Sequence, residues 1–159
     1  MIKCASYDVV FREIPNEVTL ALNLSLCPNR CLGCHSPNLW EDIGQVVDET
    51  LLTDLIDQYG KAITCLCFMG GDNDPLQLAQ LAHFVKQNFA HLKIGWYSGR
   101  SQQPEGFDTT DLDYIKLGPY KEELGPLDKS TTNQRLYKKQ ADKSWKDITS
   151  HFWILPSFL

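Results

Sequence analysis

The stretch Val18-Thr19-Leu20-Ala21-Leu22-Asn23-Leu24-Ser25-Leu26-Cys27-Pro28-Asn29-Arg30-Cys31-Leu32-Gly33-Cys34 joins a strand pattern to a group of thiols. Apolar side chains at 18, 20, 22, 24 and 26 alternate with small or polar ones, which is the period of a strand. That strand delivers the chain to Cys27. Three cysteines then fall within eight residues, separated by three residues and then by two. Three thiolates converging on one point suit a soft metal or an iron–sulfur cluster. An ordinary [4Fe–4S] cluster takes four cysteines, and no fourth follows nearby. A cubane held here would keep one iron open to a further ligand. The loop around the thiols is rich in turn formers, with Pro28, Asn29, Gly33, Ser36, Pro37 and Asn38.

Working outward, Asp48 is placed to cap a helix whose face is Leu51, Leu52, Leu55, Ile56 and Tyr59, stopped by Gly60. Residues 62–69 form an apolar run that predicts a buried strand ending at Gly70-Gly71-Asp72. Asp74-Pro75 is a cap followed by a proline in the first turn, opening a helix to about Ala90 with Leu78, Leu81, Ala82, Val85 and Phe89 inward. Strands over 92–97 and 113–117 follow, ending at Ser98-Gly99 and Gly118-Pro119. Strand, helix, strand, helix, strand is the grammar of parallel βαβ units. The reading is one α/β domain over residues 1–159: a partial (open) β/α barrel or small α/β sheet, mostly parallel. Ligands gather at the carboxyl ends of such strands. The cysteine loop and all three glycine-containing turns belong to that one edge. Residues 1–14 show no firm period and read as an irregular or short-strand lead-in. After Pro119 the alternation weakens, and the apolar tail His151–Leu159 reads as a cap on the sheet or a docking segment.

Whole-chain numbers narrow the class. A chain of 159 residues that is 43% hydrophobic and 22% charged fits a soluble globular domain able to bury a core without staples. No apolar run approaches the roughly 20 residues of a membrane span, and residues 1–8 lack the pattern of a signal peptide. A net charge of −5 argues against nucleic acid as a partner, and the basic residues around 135–146 read as a solvated face. Six cysteines with three crowded into one loop look like a metal site in a reducing, cytoplasmic setting, not a disulfide framework. A Cys₃His zinc site is the competing reading, although adjacent Cys34 and His35 are poorly spaced for one tetrahedral ion. A non-catalytic zinc or iron–sulfur interaction module therefore stays open. Cys4, Cys65 and Cys67 read as buried inert thiols, and His83 and His91 as surface or packing residues.

CxxxCxxC after the first core strand, with Gly70-Gly71-Asp72 ending the next, resembles the radical S-adenosylmethionine superfamily. The short length, Cys34-His35-Ser36-Pro37-Asn38-Leu39-Trp40, Lys116-Leu117-Gly118-Pro119-Tyr120 and Thr131-Thr132-Asn133-Gln134-Arg135 extend the likeness to nearly the whole chain. Together they are similar to the activating proteins of anaerobic (class III) ribonucleoside-triphosphate reductases. The resemblance implies an oxidoreductase. Cys27, Cys31 and Cys34 would hold a [4Fe–4S] cluster whose open iron is chelated by S-adenosylmethionine. Reductive cleavage would give a 5′-deoxyadenosyl radical that takes hydrogen from a glycine of the reductase large subunit, with a flavodoxin-like electron donor. By the same likeness Gly33 and His35 lie on the adenine side, Gly70 and Gly71 approach the methionine moiety, Asp72 accepts from its ammonium, and Ser98 lies near the ribose. Asp72 stands where the superfamily has a glutamate. Activation of another glycyl-radical enzyme, such as pyruvate formate-lyase, is the near alternative.

Overall fold

The computed structural model describes residues 1–154, so the expectation for the apolar tail falls outside the described residues from 155 onward. In chain order the strands and helices are β1 (Lys3–Val10), β2 (Thr19–Leu24), β3 (Gln45–Val46), α1 (Glu49–Tyr59), β4 (Cys65–Met69), α2 (Pro75–Asn88), β5 (Lys93–Tyr97), β6 (Tyr114–Leu117), β7 (Arg135–Lys139) and β8 (Trp145–Asp147). All eight strands form one open sheet, ordered β3-β1-β2-β4-β5-β6-β7-β8.

The centre of the sheet follows the sequence expectation. β2, β4, β5 and β6 pair in parallel and lie in sequence order. Successive right-handed crossovers that always advance in one direction put their helices on one face. Both helices accordingly pack against Leu22, Leu66, Phe68, Ile94, Trp96 and Ile115. Each helix starts where its cap dictates. The Asp48 carboxylate accepts from Leu51 N–H at 2.8 Å and the Asp74 carboxylate from Gln77 N–H at 3.2 Å, each such cap contributing about 1 kcal/mol. α1 ends at Gly60, whose φ of 55° is a conformation that glycine adopts freely.

The expectation of a mostly parallel sheet is corrected. Antiparallel pairs flank the parallel core, β1 with β2 and β3 on one side and β7 with β6 and β8 on the other, so the sheet is mixed. The lead-in is an eight-residue strand, hidden from periodicity because it is only partly buried and irregular in its burial. The basic stretch near 135–146 is the β7–β8 hairpin, closed by Lys143 at φ 68°. The two edge strands, β3 and β8, are two and three residues long, a short, lysine-bearing edge at β8 being unattractive to further strands.

The face opposite α1 and α2 carries a smaller core of Ile14, Cys65, Cys67, Tyr114, Leu136 and Ile148, with Met69, Tyr97 and Phe152, the last from a 3-10 turn over Thr149–Trp153, packed against it. Gly95 is small because its neighbour crowds it: a Cβ there would lie 3.1 Å from the Cys67 sulfur. Among the described residues no helix is long and apolar enough to cross a membrane.

Candidate functional site

β2 stops at Leu24, two residues short of the predicted end, because the backbone must turn to present Cys27. Leu26 has φ 60°, and its N–H and that of Cys27 donate to Glu41 O and Leu39 O at 3.2 and 3.0 Å. The same device recurs before each thiol. Leu26, Arg30 and Gly33 directly precede Cys27, Cys31 and Cys34, and their φ values are 60°, 43° and 76°. Two of the three are not glycine, and the left-handed region costs an L-residue roughly 1–2 kcal/mol. Strain of this kind concentrates at functional sites, where the surroundings must impose it.

The three cysteines are free and half-buried. N–H groups point at two of the sulfurs: Asn29 Nδ2 lies 3.7 Å from Cys27 Sγ, and Ser36 N lies 3.4 Å from Cys34 Sγ. Among the described residues no three His, Cys, Asp or Glu side chains gather closely enough to hold a single ion. A cubane does not require that, since each thiolate binds a different iron.

The neighbouring loops meet this one at the carboxyl edge of the sheet. Gly70 and Gly71 leave β4 with φ 119° and 97°, and Gly70 O accepts from Trp96 Nε1 at 2.8 Å. Their glycine identity is thus required by the turn itself. Asp72 follows, 3% exposed. Its Oδ1 accepts from Ser98 Oγ at 2.6 Å, and its Oδ2 accepts from Asn29 Nδ2 at 2.6 Å and Gly99 N at 2.8 Å. Arg100 Nη2 donates to Asp72 O at 3.1 Å. One carboxylate therefore joins the cysteine loop to the ends of β4 and β5.

Lys116, at the end of β6, is buried and donates to Gly118 O and Gln134 Oε1, each at 3.0 Å. Burial pushes its ammonium down to about 8, while the negative charges of Asp72 and of the Cys31, Cys67 and Cys27 sulfurs pull it back up. Two of those sulfurs, Cys31 and Cys27, belong to the loop, so this is a cation held beside thiols that would become anionic on binding a metal. Beyond it, the loop after β6 walls the cysteine loop. The Tyr120 and His35 rings lie 4.9 Å apart, and a Cβ on Gly33 would meet Glu122 Oε2 at 3.1 Å. Four consecutive residues fasten that wall. Thr131 Oγ1 donates to Leu124 O at 2.5 Å, Gln134 N to Thr132 Oγ1 at 3.1 Å, Asn133 Nδ2 to Pro119 O at 3.0 Å, and Gln134 Oε1 accepts from Lys116.

Of the residues marked in the sequence, Cys27, Cys31, Cys34, Gly33 and His35 share one loop. Asp72 and Ser98 are tied to it through Asn29, and Gly70 and Gly71 form the turn that presents Asp72. Asn29 was not singled out by sequence reasoning. It looked like one more turn former, and its position between two cysteines was the only available signal. Cys4, Cys65 and Cys67 are buried elsewhere in the sheet. Burial pushes the Cys65 thiol up to about 12 and Cys67 well above its ordinary value. A cleft of about 170 Å³ lined by Gln103, Ile115, Leu117, Tyr137 and Trp145 borders none of the loop cysteines.

The donor set fits a [4Fe–4S] cluster: three thiols from one loop, two with N–H groups aimed at sulfur, and a buried ammonium close by. Hydrogen bonds to sulfur and restricted solvent are the means by which proteins tune such clusters. No curated protein matches the chain. No solved structure matches it either. The family model described as "4Fe-4S single cluster domain" matches residues 17–107, running from the start of β2 past Ser98 and Gly99. That segment is more than half of the 159 residues and contains all three loop cysteines, so the chain belongs to the 4Fe-4S single cluster domain family.

Proposed function

We propose that this chain is a radical S-adenosylmethionine enzyme that installs a glycyl radical on an anaerobic ribonucleoside-triphosphate reductase. The observation that carries the reading is the presentation of three thiols, each aimed by its own left-handed residue, on the sheet edge that also bears the Gly70-Gly71 turn. Three protein ligands leave a cubane one iron for a small molecule. When bound, the cluster and S-adenosylmethionine would supply the reductive cleavage that yields methionine and a 5′-deoxyadenosyl radical. The chain's own residues would position and enclose that chemistry. Cys27, Cys31 and Cys34 hold the cluster, and Lys116 offsets its negative charge. The side-chain-free turn at Gly70, half-buried, and Gly71, buried, offers its backbone to a ligand, while Gly33 and His35 edge the loop on the side of Tyr120. The large subunit of the reductase and a flavodoxin-like electron donor are the proposed partners, by resemblance of the late Lys116–Tyr120 and Thr131–Arg135 segments.

The test is anaerobic reconstitution with iron and sulfide. The loaded chain should be brown, bleach with dithionite, and produce 5′-deoxyadenosine from S-adenosylmethionine. Mixed with the reductase large subunit, it should generate a glycyl radical signal in electron paramagnetic resonance. A Cys31→Ala variant that still formed 5′-deoxyadenosine would overturn the proposal. A signal on pyruvate formate-lyase alone would reassign the partner, and one zinc per chain without iron or labile sulfide would remove the catalytic reading.

A further inference from the structure

The Asp72 carboxylate is already well occupied within the protein. An ionised carboxylate offers about four lone-pair sites, and Asn29, Ser98 and Gly99 take three of them. Because the carboxylate can only accept, the Asn29 amide must turn its NH₂ toward Asp72 Oδ2, 2.6 Å away. One N–H is thereby fixed on Asp72, and the other points to Cys27 Sγ at 3.7 Å. Gly99 makes room for this arrangement: a Cβ there would stand 2.5 Å from Asn29 Nδ2.

We infer that Asp72 is a positioning residue that holds Asn29 with its N–H on the Cys27 sulfur and so sets the electron-donating strength of that one cluster ligand. The inference rests on the reading of Cys27 as an iron ligand. An N–H donated to a thiolate withdraws charge from the iron and favours the more negative, reduced cluster, so hydrogen bonds to sulfur raise the reduction potential. Asn29 makes the bond, and Asp72 fixes which way Asn29 faces. Ligand orienters of this type are a known means of tuning metal sites. Ser98 and Gly99 hold Asp72 itself, so the end of β5 reaches the cluster loop through a single carboxylate.

The experiment is a redox titration of the reconstituted full chain without S-adenosylmethionine, followed by electron paramagnetic resonance, on wild type, Asn29→Ala, Asp72→Ala and the double variant. Iron and sulfide are counted in each. Asn29→Ala should shift the potential downward when Asp72 is present and leave it unmoved in the Asp72→Ala background. This comparison cancels the direct effect of removing a carboxylate charge. Gly99→Ala, which displaces Asn29 while keeping Asp72, should reproduce the Asn29→Ala shift, and it decides the matter if Asp72→Ala does not fold. An Asn29→Ala shift of equal size in both backgrounds, no shift at all, or an unmoved potential in Gly99→Ala overturns the inference alone. A wild-type chain that retains no iron and sulfide overturns it together with the proposed function.

Discussion

The Tyr114 hydroxyl donates to Glu17 Oε1 at 2.9 Å, joining the start of β6 to the residue before Val18, 97 positions earlier in the chain. Glu17 Oε2 accepts from Thr64 Oγ1 at 2.5 Å, and Lys93 Nζ lies 3.6 Å from Oε1. These groups sit at the amino ends of the four parallel strands, opposite the cysteine edge. Glu17→Ala leaves the buried Tyr114 hydroxyl without its acceptor, at a cost of about 1–3 kcal/mol, while the exposed Thr64 hydroxyl keeps Val18 O and water as acceptors. Urea unfolding should show a loss of about 1–3 kcal/mol, while iron retention per folded chain stays at the wild-type level.

The six cysteines should divide cleanly by where they lie. Alanine at Cys27, Cys31 or Cys34 should abolish retention of iron and sulfide after desalting and leave the unfolding midpoint of the cluster-free chain nearly unchanged. Cys65→Ala or Cys67→Ala should do the reverse. Both thiols are fully buried in the sheet, where a small cavity costs on the order of 1 kcal/mol. Iron assay beside urea unfolding separates the two groups.

Alkaline pH should destabilise the fold from about pH 9 upward. The unfolded Cys65 thiol ionises near 9, but burial holds the folded one up to about 12. Across that window the folded state binds more protons, so stability falls as pH rises. Cys67, Tyr97 and Tyr114, also raised by burial, act in the same direction. Lys116 opposes them. Its folded value of about 8 lies below the unfolded 10.5, so it adds stability as pH rises between the two. Urea midpoints from pH 8 to 11 should therefore fall less steeply in Cys65→Val and more steeply in Lys116→Met than in wild type.

Arg30 tests the left-handed backbone before Cys31. Arg30→Ile places a β-branched side chain at φ 43°, where such residues are rarely tolerated. It should lower cluster occupancy at limiting iron and destabilise the loop by roughly 1–2 kcal/mol. Arg30→Gly should keep full occupancy, although the guanidinium packed over the Trp40 ring at 5.6 Å is lost. Equal occupancy in the two variants would show that the backbone conformation does not matter.

Much of this architecture was legible because the helices carry their own punctuation. Asp48, Gly60 and Asp74-Pro75 bound α1 and α2 through local hydrogen bonds, so no knowledge of the rest of the fold was needed. The parallel strands were legible for a related reason: each is a short apolar run ending in glycine or a turn. β1 was not, because it pairs with β2 yet is only partly and irregularly buried, which leaves no alternation to detect. The end of the second helix was placed at about Ala90, whereas Phe89 already caps it with φ −134°. At the site, the cysteine spacing revealed the ligands but not what supports them. The Leu26 N–H donates to Glu41 O and the Asn29 amide is oriented by Asp72, residues well separated from them in sequence.

The wall of the cysteine loop lies outside the matched segment. Tyr120 and Glu122, which stand against His35 and Gly33, and the Thr131–Gln134 stretch that fastens them all follow residue 107. A chain cut there would keep every loop sulfur, the Gly70-Gly71 turn and the Asp72–Asn29 contact, and would lose one side of the enclosure. Residues 17–107 thus carry the three loop cysteines, and the segment after 107 supplies the Tyr120–Glu122 wall and the buried Lys116 ammonium. If the proposed function holds, substitutions at Tyr120 and Glu122 are the ones expected to alter access to the loop while leaving Cys27, Cys31 and Cys34 in place.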